Sequence, residues 1–182
     1  MGKAIGMVEY KTVSSGMFAV DMMLKAADIE IIEAQTVCPG KYIAILCGDL
    51  SAVTASIESA SKNCGQHLTD SFILGNPHEG IFPAIYGTTH IEQINALGIL
   101  ETFSAPSIIV AADEAAKTAQ VELIELRIAR GMCGKSYMMI TGEIAAVSAA
   151  IDKAKSVLGD NSMLLDSSII ANPDGKLCKC IL

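Results

Sequence analysis

The chain has 182 residues, of which 51% are hydrophobic, a formal net charge of −7, a mean hydropathy of +0.44 and an isoelectric point near 4.9. An acidic chain with no basic run excludes a nucleic-acid binder, whose affinity depends on Lys and Arg neutralising phosphates. Its apolar residues come in short runs broken by charge, and none reaches the roughly 18 to 20 consecutive residues that cross a bilayer. The opening MGKAIGMVEY lacks the charged, apolar and cleavage regions of a secretory signal, so the expected compartment is the cytosol. There the six cysteines (Cys38, Cys47, Cys64, Cys133, Cys178 and Cys180) are expected as reduced thiols or metal ligands rather than disulfides. The surplus of small apolar residues points to surface buried by self-association.

Residues 4–10 alternate around apolar positions and predict a strand. Residues 14–28, SSGMFAVDMMLKAAD, show helical spacing at Met17, Val20, Leu24 and Ala27 behind a serine cap. Residues 29–37 and 41–47 are β-rich runs joined by Cys38-Pro39-Gly40, where Pro fixes φ and Gly permits a positive one, so an antiparallel pair is expected. Asp49 or Ser51 caps a second helix to about Asn63, with Val53, Ile57 and Ala60 on one face and Gly65 as its stop. A strand over 68–75 completes β-α-β-β-α-β. That order predicts an α+β fold, an antiparallel sheet with both helices on one side, related to ferredoxin-like topologies.

The chain then repeats the same pattern. At an offset of 92, Gly6 falls on Gly98, Glu9 on Glu101, Asp21 on Asp113 and Lys25 on Lys117. At 94, GKYIAILCGD (40–49) falls on GKSYMMITGE (134–143), and Gly65 falls on Gly159. At 96, LTDSFILGNP (68–77) falls on LLDSSIIANP (164–173), so the two slips mark two loop insertions. Each copy is large enough for its own core, which favours duplicated domains over a solenoid. The domains are read as 1–90, including the start of a linker that runs over 78–95, and 91–182.

No constellation of acid, base and nucleophile emerges, since His67, His78 and His90 are scattered and Asp174 takes the position of His78 in the second copy. The Gly-Lys pairs at 40–41 and 134–135 lack the leading glycine of a phosphate loop, and Ser136 opens a strand rather than a helix. The chain therefore reads as a non-enzyme. Cys47 and Cys64, at a strand end and a helix end, read as small buried hydrophobes. Cys178 and Cys180 form a C-x-C too sparse for a zinc site alone, in a terminal stretch of the kind that is often disordered.

A duplicated β-α-β-β-α-β unit opening AIGMVE, with a helix ending LKAAD and a turn followed by Gly-Lys, resembles the bacterial microcompartment shell proteins over nearly the whole chain. The turn Cys38-Pro39-Gly40-Lys41 resembles, within that family, the tandem-domain shell proteins of propanediol-utilisation compartments, trimers with an iron–sulfur cluster at their centre. The resemblance implies a pseudo-hexameric homotrimer in a microcompartment shell in the cytoplasm. It implies neighbouring shell proteins in a tiled layer, encapsulated redox enzymes as further partners, and neither nucleic acid nor membrane. It places Lys25 and Lys117 at the tile edges with Asn76 and Asn172, although the family's edge motif often has an Arg before Pro-His where this chain has Asn76-Pro77-His78 and Asn172-Pro173-Asp174.

One cysteine cannot hold a [4Fe–4S] cluster, which proteins usually bind through about four thiolates. Three-fold symmetry would place three copies of Cys38 around one point, with a fourth iron facing the pore and N–H groups around Gly40 tuning the potential. The resemblance thus implies one [4Fe–4S] cluster per trimer, held by Cys38, inside a loop set of Pro39, Gly40, Lys41, Met132, Cys133 and Gly134. Cys133 stands one residue beyond the position equivalent to Cys38. Two alternatives stand beside this reading: a cluster-free tile whose pore passes metabolites, and a small ferredoxin-like signalling module that binds a metabolite.

Overall fold

The computed structural model describes residues 4–159 and 163–182. In chain order it forms β1 (Ala4–Tyr10), α1 (Val13–Ala26), β2 (Glu30–Val37), β3 (Lys41–Gly48), α2 (Leu50–Cys64) and β4 (Leu68–Leu74). A short helix α3 (Ile81–Tyr86) follows, then β5 (Ala96–Thr102), α4 (Ala105–Thr118), β6 (Val121–Ile128), β7 (Ser136–Gly142), α5 (Ile144–Leu158), β8 (Leu164–Ile170) and α6 (Gly175–Ile181). The second sequence insertion falls on 160–162, outside the described residues.

Two four-stranded sheets result, ordered β2-β3-β1-β4 and β6-β7-β5-β8, with every neighbouring pair antiparallel. Each is the predicted β-α-β-β-α-β unit. The chain divides into two compact units: residues through Pro77 with Ser104–Ser107 and Ala129–Gly134, and His78–Phe103 with Ile108–Ile128 and everything from Lys135 onward.

In the first unit β1 is central and buried along its whole length. Its even-numbered residues Ala4, Val8 and Tyr10 join Ala19 and Met23 of α1 and Val53, Ile57 and Ala60 of α2 in one core. Gly6 lies in the same row, and a Cβ there would sit 2.9 Å from Val53 Cγ1. At Gly98 the corresponding distance is 2.7 Å to Val147 Cγ1, so the repeated glycine lets the second helix of each copy approach its central strand.

The inward face of α1 differs from the expected one. Gly16, Ala19 and Met23 are buried, whereas Met17 and Leu24 are 56% and 49% exposed. Gly16 sets this rotation, because its Cα packs directly against Tyr42. The helix starts after Thr12 rather than at a serine cap, and Thr12 makes no side-chain capping bond. Asp49 does occupy the N-cap position of α2, although without a side-chain capping bond. Gly65 ends that helix at a negative φ of −59° and leads into a 3-10 turn over Gly65–His67.

Two segments that sequence left without structure are ordered in the second unit. The linker holds α3, with Ile81 and Ala84 fully buried and Phe82 stacked on Tyr86. The C-terminal residues form α6, capped by Asp174, which accepts a hydrogen bond from Lys176 N at 2.8 Å. Cys178 and Ile181 of α6 pack with Ile91 and Ile94 of the linker onto Leu97 and Ile124. The order there comes from apolar burial.

Candidate functional site

The turn between β2 and β3 presents Cys38, Pro39 and Gly40 at the surface, with the Cys38–Pro39 peptide cis. Gly40 takes a φ of +105°, a conformation open chiefly to glycine, and its N–H closes the turn on Val37 O at 2.9 Å. The Gly40 N–H is thus spent on the turn itself.

Lys41, the first residue of β3, sends its amine away from the turn tip to Glu9 Oε1 at 2.5 Å. Glu9 is fully buried, and its other oxygen accepts the Ala105 N–H at 2.7 Å. Burial pushes the Glu9 carboxyl above its usual range, and the bonds from Lys41 and Ala105 pull it back only in part. One strand along, Asp70 Oδ2 accepts the hydroxyls of Ser104 and, at 2.6 Å, of Ser107. Sequence analysis noted Glu9 and Asp70 as repeat identities only. On a strand of alternating character a lone Glu reads as the solvent face, and nothing local shows that a cation and a helix start meet it.

The corresponding turn of the second copy lies against the first. A Cβ on Gly134 would stand 3.3 Å from Cys38 O and 3.1 Å from Lys41 Nζ, and Arg130 forms an ion pair with Glu33. Ala129, Gly131, Cys133 and Gly134 all have positive φ. The two-residue insertion found in the sequence is accommodated by this coiled backbone, which is why Cys133 is not a structural twin of Cys38. Cys133 is nonetheless exposed, and Met132 beside it is half-buried.

The residues expected at the tile edges behave differently in the two copies. Lys25 bonds the exposed Asp21 at 2.6 Å, whereas Lys117 bonds Asp113, which is fully buried and also accepts the His78 N–H. Asn76 and Asn172 are exposed just beyond β4 and β8. Of the remaining thiols, Cys64 is buried as expected, with burial pushing it above its usual range, and Cys47 is half-buried beside Glu30. Cys178 and Cys180 diverge, because residues two apart on a helix do not share a face. Cys180 instead lines an open groove of about 1090 Å³ in the second unit. There Tyr137 donates to Glu125 at 2.5 Å, and Arg127 both pairs with Glu125 and lies 5.7 Å from the centre of the Tyr137 ring.

Among the described residues no three His, Cys, Asp or Glu side chains of one chain gather into a metal-binding group. Cys38 itself fits as a cluster ligand: an exposed thiol at the tip of a short, pinned turn. A multi-iron cluster on it needs thiolates from more than one chain.

The chain is thus a duplicated β-α-β-β-α-β unit with exposed thiols at Cys38, Cys133 and Cys180. The BMC-domain family model matches residues 4–77 and 96–173, and the chain belongs to that family of microcompartment shell proteins. It is 37% identical to the bacterial microcompartment shell protein PduT of Citrobacter freundii over 173 residues, covering 95% of this chain and 94% of that one. It is 31% identical over 88 residues to the carboxysome shell protein CsoS1 of Prochlorococcus marinus, covering 47% of this chain and 85% of that one. A microcompartment protein of Desulfitobacterium hafniense has a crystal structure that matches with a TM-score of 0.84 at 42% identity, covering 99% of this chain and all of that one.

Proposed function

We propose that this shell protein forms a homotrimeric tile in which the three Cys38 thiolates meet on the three-fold axis and hold one [4Fe–4S] cluster. The observation that carries the reading is the exposed Cys38 thiol on a turn pinned from behind by Lys41 and Glu9 and flanked by Gly134. Three such thiolates would ligate three irons, leaving a non-protein ligand on the fourth. When bound, the cluster supplies a one-electron relay between redox enzymes inside the compartment and carriers outside it. The chain's own part is positional. Pro39 and Gly40 shape the tip, and the Lys41–Glu9 pair ties it to the core. The tile edges carry Lys25, Lys117, Asn76 and Asn172, which meet neighbouring shell proteins.

The test is anaerobic purification with iron and sulfide assays and EPR, on the native chain and on Cys38→Ser. About four irons per three chains, lost in the variant, is the expected result. No iron after anaerobic reconstitution would leave a tile whose pore passes metabolites.

A further inference from the structure

Cys38 and Cys133 are exposed thiols on two turns that touch. Both turns belong to the first compact unit, Cys38 between β2 and β3 and Cys133 on the segment Ala129–Gly134. Gly134 is buried, and a Cβ on it would stand 3.3 Å from Cys38 O and 3.1 Å from Lys41 Nζ, so the backbone of the second turn rests on the first. Cys133 is one Cα step, about 3.8 Å, from that contact. The other end of the same segment is held as well, by the ion pair of Arg130 with Glu33 on β2. The third exposed thiol, Cys180, stands on α6 in the second unit.

The backbone at Cys133 is one that side chains rarely take. Its φ is +52°, between Gly131 at +70° and Gly134 at +83°. That region favours glycine, and a non-glycine residue held in it is a mark of sites where the side chain is used. Here the side chain is a thiol at the edge of the Cys38 turn. A disulfide needs Cα atoms about 4.4 to 6.8 Å apart, and the flanking glycines leave the exposed tip free to settle into that range.

We propose that Cys38 and Cys133 form a reversible disulfide within one chain, a modification site that takes a small disulfide of the glutathione class as its oxidant. The Cys38 thiolate attacks the small disulfide, whose S–S bond breaks, so that one reduced small thiol leaves and a mixed disulfide forms on Cys38. The Cys133 thiolate then attacks Cys38 Sγ and expels the second small thiol. The two protein thiols give up two electrons and two protons, and both appear on the pair of reduced small thiols. A dithiol reductant reverses the sequence. The pairing needs nothing from a cluster. Its consequence does rest on the reading of the preceding section: only a thiolate ligates iron, so an oxidised Cys38 cannot hold the cluster and a ligated Cys38 cannot be oxidised.

The test uses the iron-free full chain, incubated anaerobically with oxidised glutathione, quenched by alkylation, and read by non-reducing electrophoresis and peptide mass spectrometry. The native chain should run as a monomer and yield a linked Cys38–Cys133 peptide that dithiothreitol separates. Cys133→Ser is a near-isosteric change at an exposed position, so the fold is retained. In it Cys38 has no resolving partner and should keep its glutathione at about tenfold or more the native level, because a thiol on a touching turn acts at a high effective concentration. Equal glutathione on Cys38 in the two chains would overturn the pairing, as would a Cys38–Cys38 link between chains. Reconstitution with iron and sulfide keeps the two readings apart: the reconstituted chain, given the same oxidant, should form the link only after a chelator strips its iron. A link in a chain that takes up no iron supports the pairing and removes the cluster. Iron uptake by a chain that never forms the link does the reverse.

Discussion

Lys41 Nζ lies 2.5 Å from Glu9 Oε1, and this one ion pair ties the thiol-bearing turn to a carboxylate with no solvent exposure. Removing the cation strands a buried charge, a loss that usually exceeds what the intact pair contributes. Lys41→Met should therefore destabilise dilute, unassembled protein by about 3 kcal/mol in urea unfolding. Lys135→Met, at an exposed position, should stay within about 0.5 kcal/mol of the native chain. Equal effects would mean that Glu9 does not seat the turn.

The same carboxyl sets a pH dependence. Burial raises Glu9 above 4.5, and Lys41 and the Ala105 N–H oppose the rise without cancelling it. The folded chain thus holds a proton in a range where the unfolded chain has released it. The stability this contributes is fully present below 4.5 and is lost as pH rises through the raised folded value. Comparing thermal midpoints of the native chain and Glu9→Gln from about pH 4 to 7, the native chain should lose ground to the variant as pH rises. A difference that does not change with pH would show that Glu9 keeps its ordinary carboxyl chemistry in the fold.

The repeated glycines give a third measurement. A Cβ at Gly98 would fall within 2.8 Å of both Val147 Cγ1 and Ile140 Cγ1, whereas at Gly6 only Val53 Cγ1 comes inside 3.0 Å. Overpacking of this kind costs about 1 to 3 kcal/mol. Gly6→Ala and Gly98→Ala should both lower the denaturation midpoint, with Gly98→Ala the worse of the two. The opposite order would mean that α5 shifts away from β5 more easily than α2 does from β1.

These glycines also mark what sequence can reveal. The duplication, the succession of elements within each copy and the Cys38 turn are legible because they rest on local chemistry: a Pro-Gly turn, apolar periodicity and identities at fixed offsets. The α1 face was misread because Met17 and Leu24 have the right spacing for a core, yet Gly16 turns the helix against Tyr42 and leaves them outside. Glu9 and Asp70 were missed for a related reason. What they hold lies at the start of α4, 96 residues from Glu9 and 34 and 37 residues from Asp70. No periodicity signals a partner that distant, and only the repeat of Glu, Lys, Asp and hydroxyl residues hinted that the group acts as a unit. The C-terminal C-x-C was read as loose because its anchor, the Leu97 and Ile124 patch, belongs to other strands.

Thiol labelling joins the fold to the proposed cluster. Alkylating reagents react with thiolates that they can reach, and burial hinders both access and ionisation. Cys38, Cys133 and Cys180 are exposed, Cys47 and Cys178 are half-buried, and Cys64 is buried with its thiol pushed up by burial. Mass-spectrometric mapping of the iron-free chain should find the first three labelled before Cys47 and Cys178, and Cys64 last. After anaerobic reconstitution with iron and sulfide, Cys38 should drop out of the fast group while Cys180 stays in it, because only a ligated thiolate loses its nucleophilicity. If Cys38 and Cys180 keep the same relative rates after reconstitution, the iron lies elsewhere than at the Cys38 turn. Protection of Cys133 along with Cys38 would extend the ligand set to the second turn, which Gly134 already brings against Cys38 O.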